Sequence, residues 1–383
     1  MIKTDIAIIG LGITSKLAAL ALASDARKVI IFGGESLNTS SSNLVTFFSI
    51  NSIDFIRSIG LQSLINQSMP INEISCSKLE NYQQKKQFQI NFKQKNGECE
   101  MGRVIINNQL NDGLDNQIKS NKNIVISNEV KIKNYTDDGT NKTLFLDNGI
   151  VYSTSLLIIS DKKSHIINEN FKKNIVKKEL KQTSIVMDVT IKNHNHAYQF
   201  FTKMGALALL PVNENFASII WSLENNSPLL DYNIKEISKE INEIFKNISK
   251  TIKINNIQKY KLNFEYAKKI TSNSIILIGD AAHSLHPIAG QGLNLSIKDI
   301  MELKNKIEHF KYLGYSLDNS IILDEYESAR KSDNVIYTFS TNYLDEILKS
   351  RNYLINSISN LGISTIEKTN FLKNMIIKSA SGK

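Results

Sequence analysis

The chain has 383 residues, 42% of them hydrophobic and 22% charged, with a formal net charge of +9. That length suits two closely joined domains, and the composition excludes a disordered chain. Lys, Asn and Ile are abundant together along the whole length, and the basic groups carry no interleaved aromatics, which argues against a nucleic-acid binder; the charge fits better a weak attraction to anionic lipid.

The first 35 residues read strand, turn, helix, strand. Ile6 to Ile9 is a buried-strand run, Gly10-Leu11-Gly12 turns, Ser15 to Ala23 is an Ala/Leu-rich helix, and Val29 to Phe32 is a second parallel strand. Ser52 to Ile59 reads as helix, and Ile71 to Phe92 as polar β-structure. Residues 105–120 read as helix, followed by short strands between Ile124 and Ser160 with a turn at Asp137-Asp138-Gly139. Ala217 to Trp221 is the clearest of several later strands. Ile234, Ile237, Ile241, Ile244, Phe245 and Ile248 then mark an amphipathic helix. Ile275 to Ile278 is a strand running into Gly279, and most of the remainder is helical.

These elements predict an α/β fold: a doubly wound, Rossmann-like nucleotide domain with an inserted β-sheet substrate domain and a helical C-terminal part. The predicted division is discontinuous. Residues 1–70, 98–170 and 262–345 form the nucleotide domain, 71–97 and 171–261 the substrate domain, and 346–383 the C-terminal helices. Cys76 and Cys99 have no metal or redox spacing and suggest free thiols in a reducing compartment. The amino terminus lacks the apolar stretch of a signal peptide, and no run approaches the roughly 18 apolar residues of a membrane span. The expectation is a cytoplasmic protein, at most peripheral to the inner membrane.

Two segments carry chemistry. In the first, Gly10 permits a tight turn, Gly12 lets a pyrophosphate approach the backbone, and the helix opening at Ile13 and Thr14 directs free N–H groups at it. The second runs from Gly279 to Asp299, GDAAHSLHPIAGQGLNLSIKD. There a strand ends at Gly279, Asp280 presents a carboxylate to a hydroxylated ligand, and Pro287 stiffens a loop. Gly290 and Gly292 open a helix whose positive end faces a negative charge. His194 and His196 do not complete a metal site, and no metal is expected.

The 279–299 segment resembles the second FAD motif of the para-hydroxybenzoate-hydroxylase-like monooxygenases. Its run from His286 to Asn294 is most similar to the ubiquinone-biosynthesis hydroxylases. Gly205 to Pro211 with Ile219 to Ser222, and Tyr326 to Arg330 with Asp333, resemble further signatures of that family. The resemblance implies FAD as cofactor and NAD(P)H as a transient co-substrate. It implies hydroxylation of the phenolic ring of a polyprenylated ubiquinone precursor by O2, through a flavin C4a-hydroperoxide. By the same resemblance, Gly10, Gly12, Ile13, Thr14, Glu35, Gly279, Asp280, Gly290, Gln291, Gly292, Leu293 and Asn294 bind the cofactor. Pro287 and His286 lie at the reactive face, with His283 and His286 bracing the loop. Leu207, Leu209, Pro211 and Trp221 line the substrate pocket.

The departures gather in the amino-terminal half. Ser15 stands where the fingerprint has its third glycine, and Gly33 where an acid would meet the adenosine ribose, leaving Glu35 as the nearest carboxylate. Leu44 stands where the family has an arginine, and Asp161-Lys162 where it has Asp-Gly. They keep open a second reading, a weakened family member serving as a structural partner in a ubiquinone-biosynthesis assembly. A reductase or dehydrogenase without oxygenation is a third.

Overall fold

The computed structural model describes residues 1–33, 44–79, 86–93, 100–127, 131–192, 195–284 and 291–331. Its first sheet is the predicted Rossmann-like one. Five strands run parallel in the order β18 (Ile275–Leu277), β11 (Val151–Ile159), β1 (Ile2–Ile9), β2 (Val29–Phe32) and β8 (Ile124–Ser127). β17 (Thr271–Ser272) extends one edge. β10 (Lys142–Leu146) and β9 (Ile132–Asp137) form an antiparallel flap on β11, closed by the predicted turn at Asp138 and Gly139. Ile6 to Ile9 and Leu156 to Ile159 are buried throughout, as a sheet covered on both faces requires.

The second sheet is mostly antiparallel, in the order β19 (His283–Ser284), β16 (Lys253–Ala267), β12 (Ile175–Thr190), β15 (Phe216–Glu224), β14 (Gly205–Pro211), β13 (His196–Thr202), β5 (Glu73–Leu79) and β6 (Lys86–Lys93). A third, small sheet of β3 (Val45–Ser49), β7 (Gly102–Ile106) and β4 (Met69–Ile71) joins the other two. Its Val45, Phe47, Met69, Ile71 and Val104 share one apolar cluster with Ala197 and Leu210 of the second sheet.

Helix α1 (Ile13–Leu22) packs Leu17, Ala18, Ala19, Ala21 and Leu22 into the core of the first sheet, where small alanines allow close approach. Burying each leucine there contributes about 1.5–3 kcal/mol. α2 (Ile50–Ser58), α3 (Gln62–Gln67), α4 (Asn107–Ser120) and α5 (His165–Asn170) cover the same unit. α6 (Ile234–Phe245) is the predicted amphipathic helix. A capping box at Asn233 and Glu236 starts it, and Ile237, Ile241, Ile244 and Phe245 pack on the second sheet. α7 (Gln291–Tyr312) follows the 279–284 segment, and α8 covers 320–331. Among the described residues no helix is long and apolar enough to cross a membrane. The expected C-terminal helices, His194 and Cys99 lie outside the described residues.

Candidate functional site

The two chemistry-bearing segments, some 270 positions apart in the chain, meet at one glycine. Gly279 has φ +56, in the left-handed region that favours glycine. A Cβ there would lie 2.8 Å from Thr14 Cγ2 on α1 and 2.9 Å from Ser296 Oγ on α7. The starts of α1 and α7 are therefore held against the end of β18. Asp280, the next residue, is exposed beside this junction.

At the α1 side, Gly10 has φ +124 and leaves 2.6 Å between a notional Cβ and Ser160 Oγ, so a side chain is excluded. Gly12 is the helix N-cap and makes no side-chain cap; a Cβ there would meet nothing within 4 Å. The N–H groups of Ile13 and Thr14 begin the helix with no acidic residue in the first turn, an arrangement suited to a phosphate. At the α7 side a Cβ on Gly292 would also meet nothing within 4 Å, Leu293 is half-buried, and the first turn again holds no acid. A long ligand with an anionic middle and an anionic far edge, as a reduced flavin dinucleotide has, fits these two open helix starts with Asp280 between them.

Of the site residues expected from sequence, Gly10, Gly12, Ile13, Thr14, Gly279, Asp280, Gly292, Leu293 and Asn294 are brought to these three adjoining pieces. Gln291 begins α7. Glu35, His286, Pro287 and Gly290 lie outside the described residues. Asn294 has a task that periodicity did not reveal. Its Oδ1 accepts from Ser49 N at 3.0 Å and its Nδ2 donates to Phe47 O at 2.7 Å, tying α7 to the end of β3. An Asn set between Leu293 and Leu295 was the available signal.

The departures in the first segment have visible consequences. Ser15 is fully buried and shares a hydrogen bond with Ser160, both hydroxyls lying where a side chain on Gly10 would reach. Ser160 donates to Ile9 O at 3.2 Å, so Ser15 is the donor between the two hydroxyls. The serine thus locks α1 to the end of β11 and does not disturb the turn. Asp161 is buried, and its Oδ1 accepts from Lys163 N at 3.1 Å, closing the loop after β11. Gly33 continues the pairing of β2, its N–H donating to Ser127 O at 3.1 Å, and it supplies no carboxylate.

The substrate-side residues divide between two faces of the second sheet. Leu207, Leu209 and Trp221 pack beneath α6 with Ile237, Ile241 and Phe245. Strand alternation sends their neighbours the other way. Leu210 and Ile220 pack with Val45 and Phe47 of β3, the strand that Asn294 holds. Leu207, Leu209 and Trp221, expected to line a pocket, thus lie in the cluster beneath α6, and an all-apolar strand does not reveal which face packs there. Pro211 is buried at the end of β14, paired with Ala217. On the Leu210 face the hydroxyls of Ser184 and Ser218 are buried without hydrogen-bond partners. Cys76 also lies on this face, and burial pushes its thiol up to about 12. On the opposite face, with Leu209, His196 stacks on Tyr198 and bonds Ser75 at 2.8 Å; burial lowers its pKa.

Residues 162–333 match the FAD binding domain family. Among curated relatives, the chain is 25% identical to the mitochondrial ubiquinone biosynthesis monooxygenase COQ6 of Dictyostelium discoideum over 348 residues, covering 75% of this chain and 70% of the relative. It is 22% identical to the ubiquinone hydroxylase UbiL of Rhodospirillum rubrum, covering 99% of this chain and 89% of the relative. Among solved structures it resembles the p-nitrophenol 4-monooxygenase PnpA of Pseudomonas putida, with a TM-score of 0.75 and 15% identity over 99% of this chain and 98% of the other. PqsL of Pseudomonas aeruginosa, described as a probable FAD-dependent monooxygenase, gives a TM-score of 0.76 at 15% identity over 91% of this chain and 97% of the other.

Proposed function

We propose, for a chain that has the fold of the FAD-dependent monooxygenases and matches the FAD binding domain over residues 162–333, that it hydroxylates the phenolic ring of a polyprenylated ubiquinone precursor. The observation that carries this is the junction at Gly279, where only a residue without a side chain lets the openings of α1 and α7 adjoin. FAD supplies what no side chain of this chain can: acceptance of electrons from NAD(P)H and activation of O2. The backbone at Gly12, Ile13 and Thr14 receives the pyrophosphate. Asp280 accepts hydrogen bonds from the ribityl chain, and the positive end of α7 faces the flavin edge that becomes anionic on reduction. By the family resemblance, His286 and Pro287 serve at the reactive face, and Glu35, Gly290 and Gln291 serve in cofactor binding.

For the substrate, the Leu210 face of the second sheet is the better wall. Leu210, Ile220, Val45 and Phe47 are apolar, and the unpartnered groups deeper on that face are the uncharged hydroxyls of Ser184 and Ser218. Such a wall suits a neutral ring with hydroxyl or methoxy oxygens and a lipid tail. It also keeps water from the reacting centre. The sheet pairing supports the discontinuous division, with the cofactor unit in 1–70, 98–170 and 262–345 and the substrate unit in 71–97 and 171–261, although β16 and β19 carry second-sheet pairing past 262. The net charge and the exposed Tyr312, Leu313 and Tyr315 support peripheral contact with a membrane.

The test is turnover of the FAD-loaded protein with NAD(P)H and isotopically labelled O2, offered a prenylated phenol or free hydroxybenzoate. Label in the prenylated product, at a rate above that with hydroxybenzoate, is the expected result. Flavin reduction without incorporation of label would support a reductase or dehydrogenase instead. A chain that binds no FAD would favour the structural-partner reading.

A further inference from the structure

Asp299 lies in the middle of α7, and none of its surface reaches solvent. Its carboxylate gathers three donors from two pieces of chain, the 279–284 stretch and α8. Oδ2 accepts from the backbone N–H of Gly279 at 3.1 Å and from Nε2 of His283 at 2.6 Å. Oδ1 accepts from Nε of Arg330 on α8 at 2.8 Å. His283 and Arg330 are themselves almost wholly buried. Burial alone would push this carboxyl up. The charge and hydrogen bond of His283, the Arg330 guanidinium and the Gly279 N–H together hold it below the ordinary value. Because an ionised carboxylate only accepts, the shared proton belongs to Nε2 of His283. Among the described residues, Nδ1 of His283 and the hydroxyl of Tyr326, both buried, have no partner.

What Asp299 grips is more informative than the grip itself. Gly279 immediately precedes Asp280, and His283 lies just before the segment carrying His286 and Pro287. Both ends of the 279–284 stretch are tied to one carboxylate, in a helix whose own start forms part of the junction. We propose that Asp299 is a positioning residue for the cofactor. By fixing the backbone at Gly279 and the ring of His283, it sets where Asp280 stands relative to the openings of α1 and α7. The inference rests on the proposed FAD site but is separable from it, since Asp299 is wholly buried and its carboxylate is engaged by protein donors. An unfixed carboxylate at position 280 must be ordered at the moment of binding, and that ordering subtracts from affinity.

The experiment compares apo-protein of the parent, Asp299→Asn and His283→Gln, together with Ile241→Val beneath α6 as a variant that loosens a distant core. Each is titrated with FAD, followed by flavin fluorescence and by the shape of the visible absorption band, beside a thermal unfolding curve without FAD. Asp299→Asn is expected to weaken FAD binding by about tenfold or more and to broaden the band. His283→Gln keeps the Asp299–Arg330 pair and is expected to weaken binding by a smaller factor. Ile241→Val is expected to lower the unfolding temperature while FAD affinity stays at the parent value. A folded Asp299→Asn that binds FAD as the parent does would overturn the proposal. If Asp299→Asn does not fold, parent-like affinity in His283→Gln overturns it instead. A parent that binds no FAD defeats the site itself, and the positioning role with it.

Discussion

The two ends of the candidate site are built from different materials. The α1 end is held by small, neutral contacts: a glycine that excludes a side chain, and Ser15 bonded to Ser160 across it. The α7 end is held by a buried charge cluster centred on Asp299. The first tolerates substitution, because one small residue with a satisfied hydroxyl replaces another without altering the path of the chain. The second has little freedom, because each member of a buried ion cluster leaves the others uncompensated when lost. That difference accounts for where this sequence departs from the family pattern. The departures at Ser15 and Gly33 fall at the tolerant end, while the 279–299 segment is intact; Leu44 leads into β3, the strand tied to α7. It also separates two kinds of departure: Ser15 preserves the geometry, whereas Gly33 continues the β2 pairing and supplies no carboxylate.

The comparison is broken most severely at the junction itself. Gly279→Val combines a disfavoured φ with a clash against Thr14 and Ser296, about 1–3 kcal/mol for each effect, and is expected to abolish FAD binding while lowering the thermal midpoint. Retention of FAD by this variant would mean that α1 and α7 do not bind one ligand together. Acid probes the charged end next. The Asp299 carboxyl is depressed by its partners, so its stabilisation is complete above the unfolded value of 3.8 and is lost as pH falls through the lower folded value. The stability margin of the parent over Asp299→Asn is therefore expected to be present at about pH 5 and to narrow below about pH 4. A margin that does not narrow as pH falls below about 4 would assign the stabilisation to another group. The smallest effect belongs to the neutral end. Ser15→Gly loses one buried hydrogen bond and adds chain entropy to the unfolded state, about 1–2 kcal/mol of stability in total, with FAD affinity changed less than about threefold. A large gain in affinity would show that the serine does impair the turn.

Much of this was legible in the sequence, and the parts that were not have identifiable causes. The parallel sheet, α1 and α6 follow from apolar runs and helical spacing, and the 279–299 segment from its glycines, Asp280 and Pro287. Which face of β14 and β15 turns toward the cofactor unit was not legible. Residues 205–211 are small or apolar at every position, so period-two alternation carries no contrast between Leu209 and Leu210. The Asp299 cluster was hidden for another reason. Its members stand 16 and 31 positions apart, and a buried ion pair between distant elements leaves no local pattern. Ser160 as the partner of Ser15 is a pairing across 145 positions and was equally invisible.

The most direct test of a single cofactor site spanning α1, Asp280 and α7 is a titration of purified apo-protein with FAD, for the parent and Asp280→Ala, followed by flavin fluorescence and confirmed by the yellow colour of the complex. Expected is saturable one-to-one binding by the parent, weakened about ten- to a hundredfold in Asp280→Ala as the ribityl hydroxyls lose a charged acceptor. Equal affinity in the two proteins, or no binding by the parent at FAD concentrations of several hundred micromolar (roughly −5 kcal/mol at best), would contradict it.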